Sequence, residues 1–133
     1  MGLHQLIYMS KLATEDSVLN SIHSHAVRNN TARTMTGMLL FAQGRFLQVL
    51  EGERKDVQHT FEKIKEDRRH DHVTLIADRP IVERSFSHWN MGFKALSENE
   101  AKANAELMAF FSQPLEESEL DSDTAIHLLL AYA

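Results

Sequence analysis

The chain has 133 residues, 43% apolar and 25% charged, a composition that suits one soluble globular domain with a short appendage. Nineteen acids against 14 bases give a formal charge of −5, which argues against a nucleic-acid partner, and with no cysteine there is no disulfide framework, thiol nucleophile or thiolate metal cage. No apolar run approaches the roughly 20 residues of a membrane helix, and no basic stretch leads into one at the N-terminus, so the expectation is a cytoplasmic protein without a membrane partner.

Leu3 to Ser10 is β-prone and reads as a first strand. Thr14, Glu15 and Asp16 then begin a helix, a capping hydroxyl followed by two acids where the helix dipole favours negative charge. Val18, Ile22 and Ala26 carry it at spacing four to about Arg28, and Asn29-Asn30 stop it. Thr34–Ala42 and Arg45–Glu51 predict two strands around a tight Gln43-Gly44 turn. Phe46, Gln48 and Leu50 face one way and Leu47 and Val49 the other, so this part of the sheet should be covered on both sides.

Val57, Phe61 and Ile64 mark a second helix, Val73 to Ala77 a fourth strand closed by Pro80, and Phe86 to Phe93 a fifth. The order β-α-β-β-α-β-β predicts an α+β fold, a ferredoxin-like sandwich with a five-stranded mixed sheet and two helices on one face. Ser97 and Glu100 form a capping box that opens a helix through Ala101, Ala105, Met108 and Phe111, and Pro114 breaks it. Asp121 or Ser122 caps a last Leu-rich helix, Ala125 to Tyr132. We therefore expect a sheet domain over residues 1–96 and a helical extension over 97–133. The apolar extension should roof the second sheet face or meet another copy of the chain.

Gln48 needs a chemical explanation, because its strand predicts full burial and an amide brings two donors and two acceptor lone pairs. Leaving one such group unpaired costs roughly 1–3 kcal/mol. Its partner is either neighbouring backbone or a ligand. Tyr8 poses the same question in the first strand, where it bonds either a core carbonyl or Gln48 across adjacent strands. Asn29 and Asn30 are helix-end caps or amides that read the edge of a planar ligand. Asp67-Arg68-Arg69-His70 is a solvated helix end or a phosphate grip. His23 and His25 do not share a helix face, and His70 and His72 straddle a change of structure, so no metal site is expected. Trp89 and Met91 share a face of the last strand and read first as core. No Ser–His–Asp set or phosphate loop stands out, and the loop after the first strand, Lys11-Leu12-Ala13, lacks the glycines and arginine of an acylphosphatase-like hydrolase. A plain small-ligand-binding or interaction domain stays open on these residues alone.

Taken together, LIYMS at 6–10, RNN at 28–30, MTGMLLF at 35–41, GRFLQVLEG at 44–52, DRRH at 67–70 and FSHWNMGF at 86–93 resemble the BLUF domain, a flavin-binding blue-light sensor. The resemblance spans about residues 3 to 96 and is to the short type with two C-terminal helices and no attached enzyme. It implies FAD between the first two helices, with Tyr8 as electron and proton donor and Gln48 as the amide that switches. It further implies that Asn30 bonds the flavin ring and Ile22 packs on it, with Asn29, the more variable neighbour, and Met91 also among the flavin-binding residues. Arg69 and His70 would lie toward the ribityl and phosphate side, and Ser10, Trp89 and Met91 would relay the change. Ala26 departs from a Ser common in the family, and Asn29 from a His found in some members. Output would pass through a downstream protein or a change in a homo-oligomer.

Overall fold

In a computed structural model, residues 2–13, 35–67, 69–86, 92–115 and 120–133 are described. The expected first helix at 14–28, together with Ile22, Asn29, Asn30, Trp89 and Met91, lies outside them. The described strands are β1 (Leu3–Leu12), β2 (Thr36–Ala42), β3 (Arg45–Glu53), β4 (His70–Ile81) and β5 (Gly92–Ala95). They form one mixed sheet in the order β4-β1-β3-β2-β5, with β5 parallel to β2 and the other pairs antiparallel. This is the expected ferredoxin-like sheet with an added edge strand.

Alternation along the central strands divides the core into two. Leu6, Tyr8, Leu39, Phe41, Phe46 and Leu50 pack against Val57 and Phe61 of helix α1 (Arg54–Glu66). Ile7, Met9, Met38, Leu40, Leu47 and Val49 face the opposite way, where α2 (Glu98–Lys102), α3 (Ala105–Phe111) and α4 (Ser122–Ala131) bring Ala101, Leu107, Phe110, Phe111, Ala125, Leu128 and Leu129. The C-terminal helices therefore roof the sheet. Polar contacts hold them at the sheet's ends: Arg45 donates to the carbonyl of Gln113 and Thr74 Oγ1 to that of Leu115, both at 2.6 Å.

Several local expectations change. The helix opened by the Ser97–Glu100 capping box ends at Lys102, because Asn104 leaves helical geometry and its Oδ1 accepts from Leu107 N–H at 3.1 Å, capping α3. An Asn that competes with the helical backbone turns one helix into two. β4 runs far beyond Val73–Ala77, since two register shifts against β1 reset its apolar alternation and hide its length in sequence. Pro80 does not close it; Pro80 pairs with His4 on an edge strand, where a missing N–H is tolerated. Phe86 does not open β5, whose described residues are Gly92–Ala95. Phe86 sits in a bend, its N–H taken by Glu51 Oε1 at 2.8 Å. Asp121, not Ser122, caps α4.

The β2–β3 turn forms as expected, with φ of 53° at Gln43 and 73° at Gly44. Two left-handed residues match the twist of a two-residue hairpin. A Cβ at Gly44 would meet nothing within 4 Å, so backbone conformation alone penalises a side chain there. Gly44→Ala should cost about 1 kcal/mol in urea unfolding, without altering the fold.

Candidate functional site

β1 and β3 are neighbours in the sheet, and their register sets Tyr8 directly opposite Gln48. Both side chains point to the α1 face, and both are buried, Tyr8 at 0% and Gln48 at 4% exposure. The Tyr8 hydroxyl donates to Gln48 Oε1. Aromatic rings surround the pair: Phe61 lies 5.6 Å and His70 6.1 Å from Tyr8 between centroids, and Phe46 lies 4.8 Å from His70. The two side chains therefore meet as their strand positions imply.

A bulge positions the next group. His72 adopts φ 51° where β4 slips against β1, so Ser10 falls between paired positions. Ser10 Oγ then lies 2.9 Å from His70 Nδ1. Burial pushes the His70 imidazole down to about 4, with the Arg69 cation adding to this and the Asp67 carboxylate opposing it. His70 is thus neutral at pH 7.

Burial holds the Tyr8 phenol far above its ordinary range, and the Asp67 charge adds to the effect. Asp67 itself lies below its usual range: partial burial would raise it, but hydrogen bonds from the Arg69 side chain and backbone prevail. Its carboxylate takes Arg69 Nε at 3.0 Å and Nη2 at 2.6 Å. Arg69, expected on the phosphate side, thus has one edge of its fork engaged by Asp67. In sequence DRRH reads as a basic run, and nothing in it singles out the carboxylate as the group that fixes the arginine. Phe61 is a wall of the site as well as the buried face of its helix, and helical spacing signals only the second of these roles.

The face offers a phenol, a carboxamide, a hydroxyl and a neutral imidazole among aromatic rings. Such a set suits a flat heteroaromatic ligand with an acceptor edge: rings stack on it, and the amide can donate or accept. A flavin is a ligand of this kind, and the residues present fit it.

Known proteins agree with this reading. Residues 3–92 match the BLUF family, described as sensors of blue-light using FAD. The chain belongs to this family of flavin-binding blue-light sensory domains. Subunit beta of the photoactivated adenylate cyclase of Euglena gracilis is 36% identical over 74 residues, 55% of this chain and 9% of that protein. The chain thus spans about a tenth of the curated relatives it matches. Among solved structures, the dark state of BlrB, a BLUF protein, is 29% identical with a TM-score of 0.72, over 96% of this chain and 98% of that one. The photo-activated state of BlsA is 26% identical with a TM-score of 0.78, over 98% and 94%. A Klebsiella pneumoniae BlrP1 structure is 27% identical with a TM-score of 0.69, over 98% of this chain but 32% of that one.

Titration of His70 sets the acid stability of the site. Between pH 6.5 and about 4 the unfolded chain binds a proton there that the folded chain refuses, so stability rises with pH across this window. Its loss should begin as pH falls below 6.5 and reach on the order of 2 kcal/mol near pH 4.5. Asp67 weighs in only below its ordinary 3.8. Urea midpoints measured from pH 7 to about 4.5 should fall less steeply in His70→Asn than in the parent chain.

Proposed function

We propose that the chain is a blue-light photoreceptor in which Tyr8 and Gln48 turn light absorption into a changed hydrogen-bond pattern. The observation that supports it most is the buried Tyr8–Gln48 pair on the central strands. FAD is the flavin we assign, held by Ile22, Asn29, Asn30, Gln48, Arg69, His70 and Met91. When bound, it supplies the absorption of blue light and, once excited, a strong electron acceptor.

The chain's own residues govern the proton. In the dark Tyr8 keeps it, because burial and Asp67 both oppose a phenolate. Simple acid dissociation is therefore closed to it at neutral pH. Loss of an electron makes the phenol a strong acid, and Gln48 Oε1 already accepts its hydrogen bond. A proton that crosses to the amide frees Gln48 to rotate about its terminal bond or to settle as the other tautomer, and the electron and a proton then return to Tyr8 and restore its hydroxyl. Either way a donor stands where an acceptor stood, and the Tyr8 hydroxyl, able to donate and accept, accommodates both. One such exchange is worth roughly 0.5–1.5 kcal/mol, within reach of ordinary coupling between sites.

In this reading the chain senses and does not catalyse. Residues 97–133 are the output element, with Ser10, Trp89 and Met91 as relay residues, toward a downstream protein or a change in a homo-oligomer. Among the described residues no helix is long and apolar enough to cross a membrane, and the cytoplasm is the compartment we assign.

Purified protein should be yellow and show a small, reversible red shift after blue light. Tyr8→Phe should bind flavin yet form no long-lived red-shifted state, and Gln48→Leu should keep the flavin and lose the shift. A Tyr8→Phe protein that still forms that state would remove Tyr8 from the photochemistry, and a colourless protein that takes up no added FAD would remove the photoreceptor.

A further inference from the structure

The β1–β3 ladder carries a second buried polar pair. Gln5 stands opposite Glu51 three register steps from the Tyr8–Gln48 pair, on the other sheet face. Gln5 is 2% exposed and Glu51 0%. Gln5 Nε2 donates to Glu51 Oε2 at 2.8 Å, while Gln5 Oε1 accepts from Arg79 Nε at 3.1 Å and Nη2 at 2.9 Å. Glu51 also accepts from the backbone N–H groups of Ser85 at 3.1 Å and Phe86 at 2.8 Å. Arg79 Nη1 reaches Ser122 Oγ, the first residue of α4, at 3.3 Å.

The orientation of this amide is fixed by its neighbours. A guanidinium cannot accept and a carboxylate cannot donate, so Gln5 has one arrangement that satisfies both. Its dipole links an acid and a base, and this compensates the burial of the acid. The network ties the chain entering residues 87–91 to the start of α4, and its hydrogen bonds run through neither Tyr8 nor Gln48.

We propose that Gln5, Glu51 and Arg79 are positioning residues that couple the photochemical face to α4. The proposal rests on the photoreceptor reading. The two polar pairs share one ladder, about 10 Å apart along it, so a change of spacing or twist at Tyr8–Gln48 is felt at Gln5–Glu51. The rigid amide passes it through Glu51 to the Phe86 backbone and through Arg79 to Ser122.

Glu51→Gln tests this in the full chain carrying its flavin. A carboxamide has one acceptor oxygen where Glu51 uses two, and Gln5 cannot turn to compensate while Arg79 holds it. Flavin binding and the red shift should persist. Dark recovery should change by about fivefold, the scale of one buried hydrogen bond, and the light-minus-dark difference in amide exchange over 122–131 should vanish. Gln5→Glu added to Glu51→Gln restores one acid and one amide and should recover part of both. Should Glu51→Gln lose its fold or flavin, the half-buried Arg79→Met is read by the same two measures. Wild-type recovery and wild-type exchange differences in the folded variant would overturn the coupling, as would a red-shifting parent chain whose α4 exchange ignores light. A parent chain with no red shift would instead overturn the photoreceptor reading itself, and the coupling with it.

Discussion

A carboxamide buried between β-strands must satisfy its hydrogen bonds from whatever the adjacent strand offers, and that requirement governs this molecule. The central strands β1 and β3 are covered on both faces, so neither of their buried amides can turn to water. Gln48 meets a hydroxyl and Gln5 meets an acid and a base. A hydroxyl serves either orientation of an amide, whereas unlike charges permit one. The same residue type is therefore held in one orientation at Gln5, whereas at Gln48 the hydroxyl partner is compatible with the switching we propose.

The two-sided core makes a small change at Gln48 consequential. Apolar side chains fill both faces of the ladder, so the strands cannot relax into empty space when one bond is exchanged. On the far face the roof helices are short and individually weak. Their position depends on packing and on a few polar ties: Arg45 and Thr74 at one end, Arg79 at the other. A change of roughly 1 kcal/mol at such ties is enough to redistribute populations between two positions of an element.

Much of this is legible in sequence because it obeys periodicity. Two-faced apolar strands announce a sheet covered on both sides, and a lone amide within Phe46–Leu50 announces a site. Periodicity cannot show the features that break it. The bulges of β4 reset its alternation, so a twelve-residue strand reads as five residues, and the contact between Ser10 and His70 that the bulge creates is invisible. Asn104 divides a helix whose apolar spacing looks continuous. Glu51 escapes notice for another reason. An acid at the end of a strand is usually solvated, and only tertiary structure shows three N–H groups converging on it. The available signal is parity: Gln5 and Glu51 fall on the same face as Ile7 and Val49, whose apolar character marks that face as core.

The opposite-face arrangement also answers a chemical difficulty. A buried carboxylate beside Tyr8 would raise the phenol's hold on its proton still further and would compete with Gln48 for that hydrogen bond. Asp67 already acts in this direction, but its engagement by Arg69 tempers the field it projects. Placing Glu51 across the sheet keeps a strong, directional acceptor available for the Ser85–Phe86 backbone on the face away from the phenol. A sheet one residue thick can thus carry two polar devices with incompatible electrostatic needs, provided that its strands place them at odd spacing, as positions 48 and 51 and positions 5 and 8 do here.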